Sequence, residues 1–236
     1  MTIAAGFLYQ GGLFLCADTQ ATGAYKIQGS KLLPHDYDDG TVTIFATVGQ
    51  VSYARMGVQL VEIAIERLGR SERTLAAIHD TLIEQLYSLY VKHLYQHPSW
   101  QVNPDLHVQY LIGVWSGADR QLALFKTEDT AVERLHGYDC LGSGADLVHY
   151  LIRPIYPRRQ TKDAPVAATL DEVKTLAFNS LERVKSHNPY CGGNTTWMTL
   201  SATGKREAGA TQSPAPNHPE ASPVLQGSKR GQGVSA

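Results

Sequence analysis

The chain has 236 residues, of which 43% are hydrophobic and 18% charged, with a formal net charge of -1 at pH 7. That balance suits one well-buried domain and provides no global attraction to nucleic acid or to an anionic membrane. Its three cysteines, Cys16, Cys140 and Cys191, are odd in number and scattered, which reads against a disulfide framework or a zinc site and suits a reducing cytosol.

The apolar opening from Ile3 to Ala17 has no Lys or Arg before Lys26 and is interrupted by Gln10, Gly11 and Gly12, so it reads as mature sequence rather than a signal peptide. No other run approaches the roughly 20 apolar residues that span a bilayer. The opening divides into two strand-like runs, Thr2 to Tyr9 and Leu13 to Asp18, with the Gln10-Gly11-Gly12 turn between them, a hairpin pattern. A third strand is predicted from Thr41 to Val48, after the turn-rich stretch from Pro34 to Gly40.

From Ala54 the period changes. Ala54, Val58, Val61, Ile65 and Leu68 form one helical stripe that Gly69 stops. Leu75, Ile78, Leu82, Leu86 and Leu89 repeat the stripe up to His97-Pro98. Strand periodicity returns over Leu106 to Trp115, Gln121 to Lys126 and Val132 to Leu141. A short helix follows Gly144. A longer one starts at Thr169, whose spacing to Glu172 is that of a capping box, with Leu170, Val173, Ala177, Leu181 and Val184 as its stripe. A last strand covers Thr195 to Leu200.

Strands, two helices, strands, two helices and a strand predict an α+β fold of four layers, α-β-β-α, with two sheets between two helical layers. The domain is expected over residues 2–202. Residues 203–236 turn to Gly, Ser, Pro and Gln, with Val224-Leu225 as the one apolar pair, the composition of a disordered or extended tail.

A hydroxyl needs a base within hydrogen-bond reach to act as a nucleophile at neutral pH. A threonine at the amino terminus carries one, because its α-amine has a pKa of about 7.7 to 8.0. The chain opens Met1-Thr2, and the small second side chain permits removal of Met1. This places Thr2 as the candidate nucleophile.

The string TIAAGFLYQGGLFLCADTQAT, with GSKLL at Gly29 to Leu33, IFATVGQ at Ile44 to Gln50, LGSGAD at Leu141 to Asp146 and the turn Cys191-Gly192-Gly193, resembles the proteasome β-subunit family, including its bacterial heat-shock peptidase branch. The resemblance covers about residues 2–202. It implies the N-terminal nucleophile hydrolase fold and a bacterial homologue.

By that resemblance the amine of Thr2 is the general base, Asp18 pairs with Lys31, and the ammonium beside Thr2 favours the deprotonated hydroxyl. Ser143 would hydrogen-bond the amine. The backbone N–H of Ala46 or Thr47 would be the oxyanion donor, and Ala21, Ile44 and Val48 would line a modest apolar substrate pocket. Two residues depart from the family pattern. Asn188 stands where the family has an aspartate, and can accept through its carbonyl oxygen but carries no charge. Cys191 stands for the turn's serine, and no His has a recognisable spacing to it, so a small buried thiol is expected rather than a catalytic one.

The nine histidines show no metal-ligand spacing; His93 and His97 lie four apart beside Pro98 without a third ligand. No cofactor or metal is expected. Arg153, Arg158, Arg159 and Lys162 form a basic stretch read as a solvated loop or subunit contact. No glycine loop of the Walker type is present, so any ATP dependence must come from a partner.

The resemblance implies a threonine endopeptidase acting on polypeptides, assembled as a homo-oligomer of stacked rings, with a separate ring ATPase delivering substrate. Two alternatives stand beside it. One is a catalytically weak or inactive ring subunit, motivated by Asn188. The other is an amidohydrolase of the same nucleophile class that acts on a small amide.

Overall fold

The structure is a computed structural model that describes residues 2–22, 26–101, 106–156 and 168–211, with the side chains of 21–28 outside the description. Arg158, Arg159, Lys162 and residues 212–236 therefore lie outside the described residues. Among the described residues no helix is long and apolar enough to cross a membrane.

Strands β1 (Ile3–Tyr9) and β2 (Gly12–Asp18) pair antiparallel, Ala4 opposite Ala17 and Tyr9 opposite Gly12. Gly11 turns the hairpin at φ +94. Both strands read as continuous apolar runs because both of their faces are covered. Ile3, Ala5, Phe7, Phe14 and Cys16 lie in one core, and Ala4, Leu13, Leu15 and Ala17 in another, the alternation of a pleated strand.

Short strands β3 (Gln20–Thr22) and β4 (Lys26–Gln28) form a separate two-stranded ladder. Strand β5 (Leu32–Asp36) contains Pro34, within the stretch from Pro34 to Gly40 that the sequence marks as turn. The proline is tolerated because β5 is an edge strand, where one row of N–H groups has no ladder to serve. Strand β6 (Val42–Val48) follows as expected.

Helix α1 (Val51–Arg67) and helix α2 (Leu75–Leu89) bury the two predicted stripes, and a π-helical turn over Tyr90–Leu94 extends the second. Both pack on Phe45, Tyr110, Ile112, Val114 and Phe125 of the adjoining sheet. Each fully buried Leu or Ile contributes about 1.5–3 kcal/mol. Gly57 permits this close approach: a Cβ there would lie 2.2 Å from the hydroxyl oxygen of Tyr110, which donates to the Ala54 carbonyl at 3.0 Å.

Strands β7 (Gln109–Ser116) and β8 (Gln121–Glu128) match expectation. The run predicted as one strand from Val132 to Leu141 is two, β9 (Ala131–Leu135) and β10 (Tyr138–Gly142), and they belong to different sheets. Helix α3 (Ala145–Ile152) and helix α4 (Leu170–His187) follow, the second with the predicted capping box at Thr169 and Glu172. Strand β11 (Thr195–Ser201) pairs with β2 and with β12 (Arg206–Thr211). The composition from 203 onward reads as tail, yet residues 206–211 are a sheet strand, because the ladder to β11 satisfies a backbone that its side chains give little reason to bury.

The described chain is thus α+β, with two five-stranded antiparallel sheets ordered β10-β1-β2-β11-β12 and β5-β6-β7-β8-β9, and four α-helices among the described residues. The start of β1, the end of β2, the end of β10 and the start of β11 meet at one end of the first sheet, where Ile3 faces Gly142 and Thr195 faces Asp18.

Candidate active site

Asp18 organises this end of the sheet. Its carboxylate is fully buried. Oδ1 accepts from the Lys31 ammonium at 2.5 Å and from the Ile3 N–H at 3.0 Å, and Oδ2 accepts from the Gly192 N–H at 2.9 Å. One carboxylate therefore ties together β1, the residue before β5, and the turn before β11. Charge-assisted bonds of this kind are about twice as strong as neutral ones.

Lys31 also donates to the Gln20 carbonyl at 2.5 Å, and its side chain is 9% exposed. Burial holds the ammonium's pKa below the usual 10.5; Asp18 opposes that shift, and the positive charge of Lys185 adds to it. Thr2, immediately before the Ile3 amide held by Asp18, is 6% exposed.

Gly142 supports Thr2 from the other side. It has φ +96, and a Cβ on it would fall 1.9 Å from the Thr2 carbonyl oxygen. Gly142→Ala is expected to destabilise the chain by about 1–3 kcal/mol through the backbone alone, and to push the start of β1 off Asp18. Urea unfolding measures the first effect. Slower labelling of Thr2 by a peptide epoxyketone measures the second, and unchanged labelling would separate Gly142 from the site.

Ser143 is exposed and its Oγ lies 3.8 Å from the Sγ of Cys191. A Cβ on Gly144 would lie 3.0 Å from Ile3 Cδ1 and 3.3 Å from that sulfur, so the β10-α3 turn packs directly on the base of β1. Burial raises the pKa of the Cys191 thiol, which keeps it protonated at neutral pH and unsuited to act as a nucleophile. Asn188 closes the group. Its Nδ2 donates to the Ser143 carbonyl at 3.1 Å, and its Oδ1 accepts from the Tyr190 N–H at 3.0 Å. The amide spans two backbone segments, and its contact with Ser143 is to the main chain.

The structure thus brings Asp18, Lys31, Ser143, Asn188 and Cys191 around the start of β1. Other expected site residues are placed differently. The Thr47 N–H donates to the Lys31 carbonyl at 3.0 Å, so it is committed to the chain beside β5 rather than turned toward a substrate oxygen. Amides alternate along a strand, so the Ala46 N–H faces β7, where Ala46 pairs with Leu111. Ile44 has no exposed surface and belongs to the core between the sheets, so it lines no open pocket. Val48 packs partly buried against that core. The side chain of Ala21 lies outside the described residues.

Three roles escape the sequence reading: those of Gly142, the Gly192 amide and Lys185. Gly142 and Gly192 lie within the strings that carry the resemblance, but a string does not say which backbone group a glycine supports, and Lys185 sits one residue past the apolar stripe of α4.

No family profile and no curated protein matches this sequence. Solved structures similar to the chain include Anbu (ancestral beta-subunit) from Yersinia bercovieri, with 14% identity and a TM-score of 0.71 over 92% of this chain and 89% of that one. An Anbu (Gly-1) mutant from Hyphomicrobium sp. strain MC1 shares 13% identity with a TM-score of 0.72 over the same shares of the two chains. The helical assembly of the Anbu complex from Pseudomonas aeruginosa shares 13% identity with a TM-score of 0.70 over 89% of this chain and 86% of that one.

At such identities the likeness establishes a shared fold. It also corrects the resemblance drawn from the motifs: these neighbours are proteasome-like but form a family distinct from the proteasome β-subunits and heat-shock peptidases, and no sequence match supports membership of the latter. In this chain the motif strings fall largely on buried strands and on glycine turns, features set by the fold.

Proposed function

We propose that this chain is an amide-bond hydrolase whose nucleophile is Thr2, made amino-terminal by removal of Met1, and that its substrates are polypeptides. The observation that supports this best is the Asp18 carboxylate, which holds the Lys31 ammonium and the Ile3 amide at once and so sets a cation beside Thr2. Thr2 Oγ attacks the substrate carbonyl while the α-amine takes its proton. An ester to the threonine forms, the amine leaving group departs with that proton, and water activated by the α-amine hydrolyses the ester. Lys31 stabilises the developing negative charge on Oγ.

Three apolar cores support the α-β-β-α layering on which this reading draws: one between α1, α2 and their sheet, one between the two sheets, and one between the other sheet and α3, α4. One similar structure is a helical assembly of an Anbu complex, which supports self-association of this chain as part of the proposal.

A second reading, a catalytically weak subunit, is favoured by one observation. Asn188 carries no charge and directs its oxygen to the Tyr190 amide and its nitrogen to the Ser143 carbonyl, so it makes no bond there to the Ser143 hydroxyl.

A peptide epoxyketone tests both, since it requires the threonine hydroxyl and a free α-amine. The primary reading expects a chain without Met1 by intact mass and a single adduct mapped to Thr2. Adduct formation without turnover of peptidyl reporters would favour the weak subunit. A retained Met1 would remove the mechanism.

A further inference from the structure

Lys185, on the last turn of α4, lies behind the candidate site and has a side chain only 6% exposed. Its ammonium donates to the Gly193 carbonyl at 2.9 Å, to Thr195 Oγ1 at 2.6 Å and to Glu182 Oε1 at 2.8 Å. The segment it grips is the one that reaches Asp18 from the opposite side. The Gly192 N–H donates to Asp18 Oδ2, the Gln20 N–H donates to the Gly192 carbonyl at 3.1 Å, and the Thr19 N–H donates to the Asn194 carbonyl at 2.9 Å.

A buried ammonium is an expensive way to end a helix-to-sheet contact, because an apolar residue of similar volume often serves stability as well or better. The location of this one suggests what it does. Gly193 has φ +71, so the turn rests on a backbone that glycine leaves loose. A cation bonded to the Gly193 carbonyl and to Thr195 Oγ1 fixes the peptide plane between Gly193 and Asn194, and so anchors the turn two peptide planes beyond the one that carries the Gly192 N–H.

We propose that Lys185 is a positioning residue of the Thr2 site. It clamps the Gly192–Thr195 segment so that the Gly192 amide holds the Asp18 carboxylate, and Asp18 holds Lys31 beside Thr2. The catalytic consequence rests on the Thr2 reading above; the clamp does not. The positive charge of Lys185 also acts on Lys31 and helps depress its pKa, so the same residue couples to the site by field as well as by geometry.

The test compares the full chain with Lys185→Met, Lys185→Arg and Thr195→Val in two measurements. Hydrogen-deuterium exchange of the peptide covering 188–195, with the β2 peptide as internal reference, is expected to be at least about tenfold faster in Lys185→Met and about threefold faster in Thr195→Val. It should stay within about threefold of wild type in Lys185→Arg, which keeps a charged donor. Inactivation by a peptide epoxyketone should show a maximal rate at least about tenfold lower in Lys185→Met with half-saturation unchanged, a split that general loss of stability would not produce.

Unchanged exchange in Lys185→Met overturns the proposal whatever happens to the inactivation rate. If that variant does not fold, unchanged exchange in Thr195→Val overturns it instead. Faster exchange in a chain whose wild type forms no adduct would leave the clamp standing and sink the Thr2 reading.

Discussion

Thr2→Ala is expected to abolish peptide hydrolysis, lowering kcat/KM by about 1,000-fold or more, with little change in stability. The loss follows from removing the atom that forms the ester; what remains is the background from binding and charge stabilisation. Stability should change by no more than about 1 kcal/mol, since the substitution removes one methyl and one hydroxyl and leaves the Ile3 N–H bond to Asp18 in place. Thr2→Ser, which keeps hydroxyl and amine, should retain measurable turnover. Kinetics on a peptidyl reporter and urea unfolding of the three proteins check this, and activity surviving in Thr2→Ala would refute the assignment.

The largest stability effect should come from Asp18→Asn. The asparagine leaves the Lys31 ammonium, 9% exposed, without a counter-charge. Breaking such a pair from one side costs about 3–5 kcal/mol. For a chain of this size each kcal/mol lowers Tm by roughly 2–4 °C, so Asp18→Asn should unfold about 6–20 °C earlier and lose its activity.

Lys31→Met should lose activity as fully while destabilising less, because Asp18 keeps the Ile3 and Gly192 amides. The double variant should recover part of the stability lost in Asp18→Asn, the signature of direct coupling. Thermal unfolding of the four proteins measures it, and additive effects would mean the pair is not coupled.

The pH dependence has a defined sign. Folding lowers the Lys31 pKa from 10.5, so the folded chain binds that proton more weakly than the unfolded chain. The resulting penalty acts in full below the folded pKa and is relieved as pH rises from there toward 10.5. Lys31→Met lacks this relief, so its stability deficit against wild type should widen over that interval.

How much was legible in the sequence varies by element. The helices α1, α2 and α4 follow from their stripes, because helical spacing of apolar residues is a local property that burial then uses unchanged. The hairpin of β1 and β2 was equally legible, since Gly11 has a positive φ that few other residues adopt. The break between β9 and β10 was not. Val132 to Leu141 reads as a single strand-like run, and only the packing of two sheets sends its halves to different ones. Strands β5 and β12 were missed for a related reason: at a sheet edge the ladder needs a backbone, not a distinctive side-chain pattern, so Pro34 and the polar Arg206–Thr211 both fit.

From its residue chemistry and order the sequence by itself offered the strand and helix runs and Thr2 as candidate nucleophile, while the Asp18–Lys31 pair and the departures at Asn188 and Cys191 entered as what the resemblance implied. Only the tertiary structure decided where those groups point. It committed the Thr47 amide to Lys31, buried Ile44 between the sheets, and turned Asn188 toward main-chain partners. It also brought Gly142, Gly192 and Lys185 to Asp18 and Thr2 from β10, the turn before β11 and α4. Hydrogen-bond direction and burial depend on which strand lies alongside, and that is settled when the sheets stack, not by spacing along the chain.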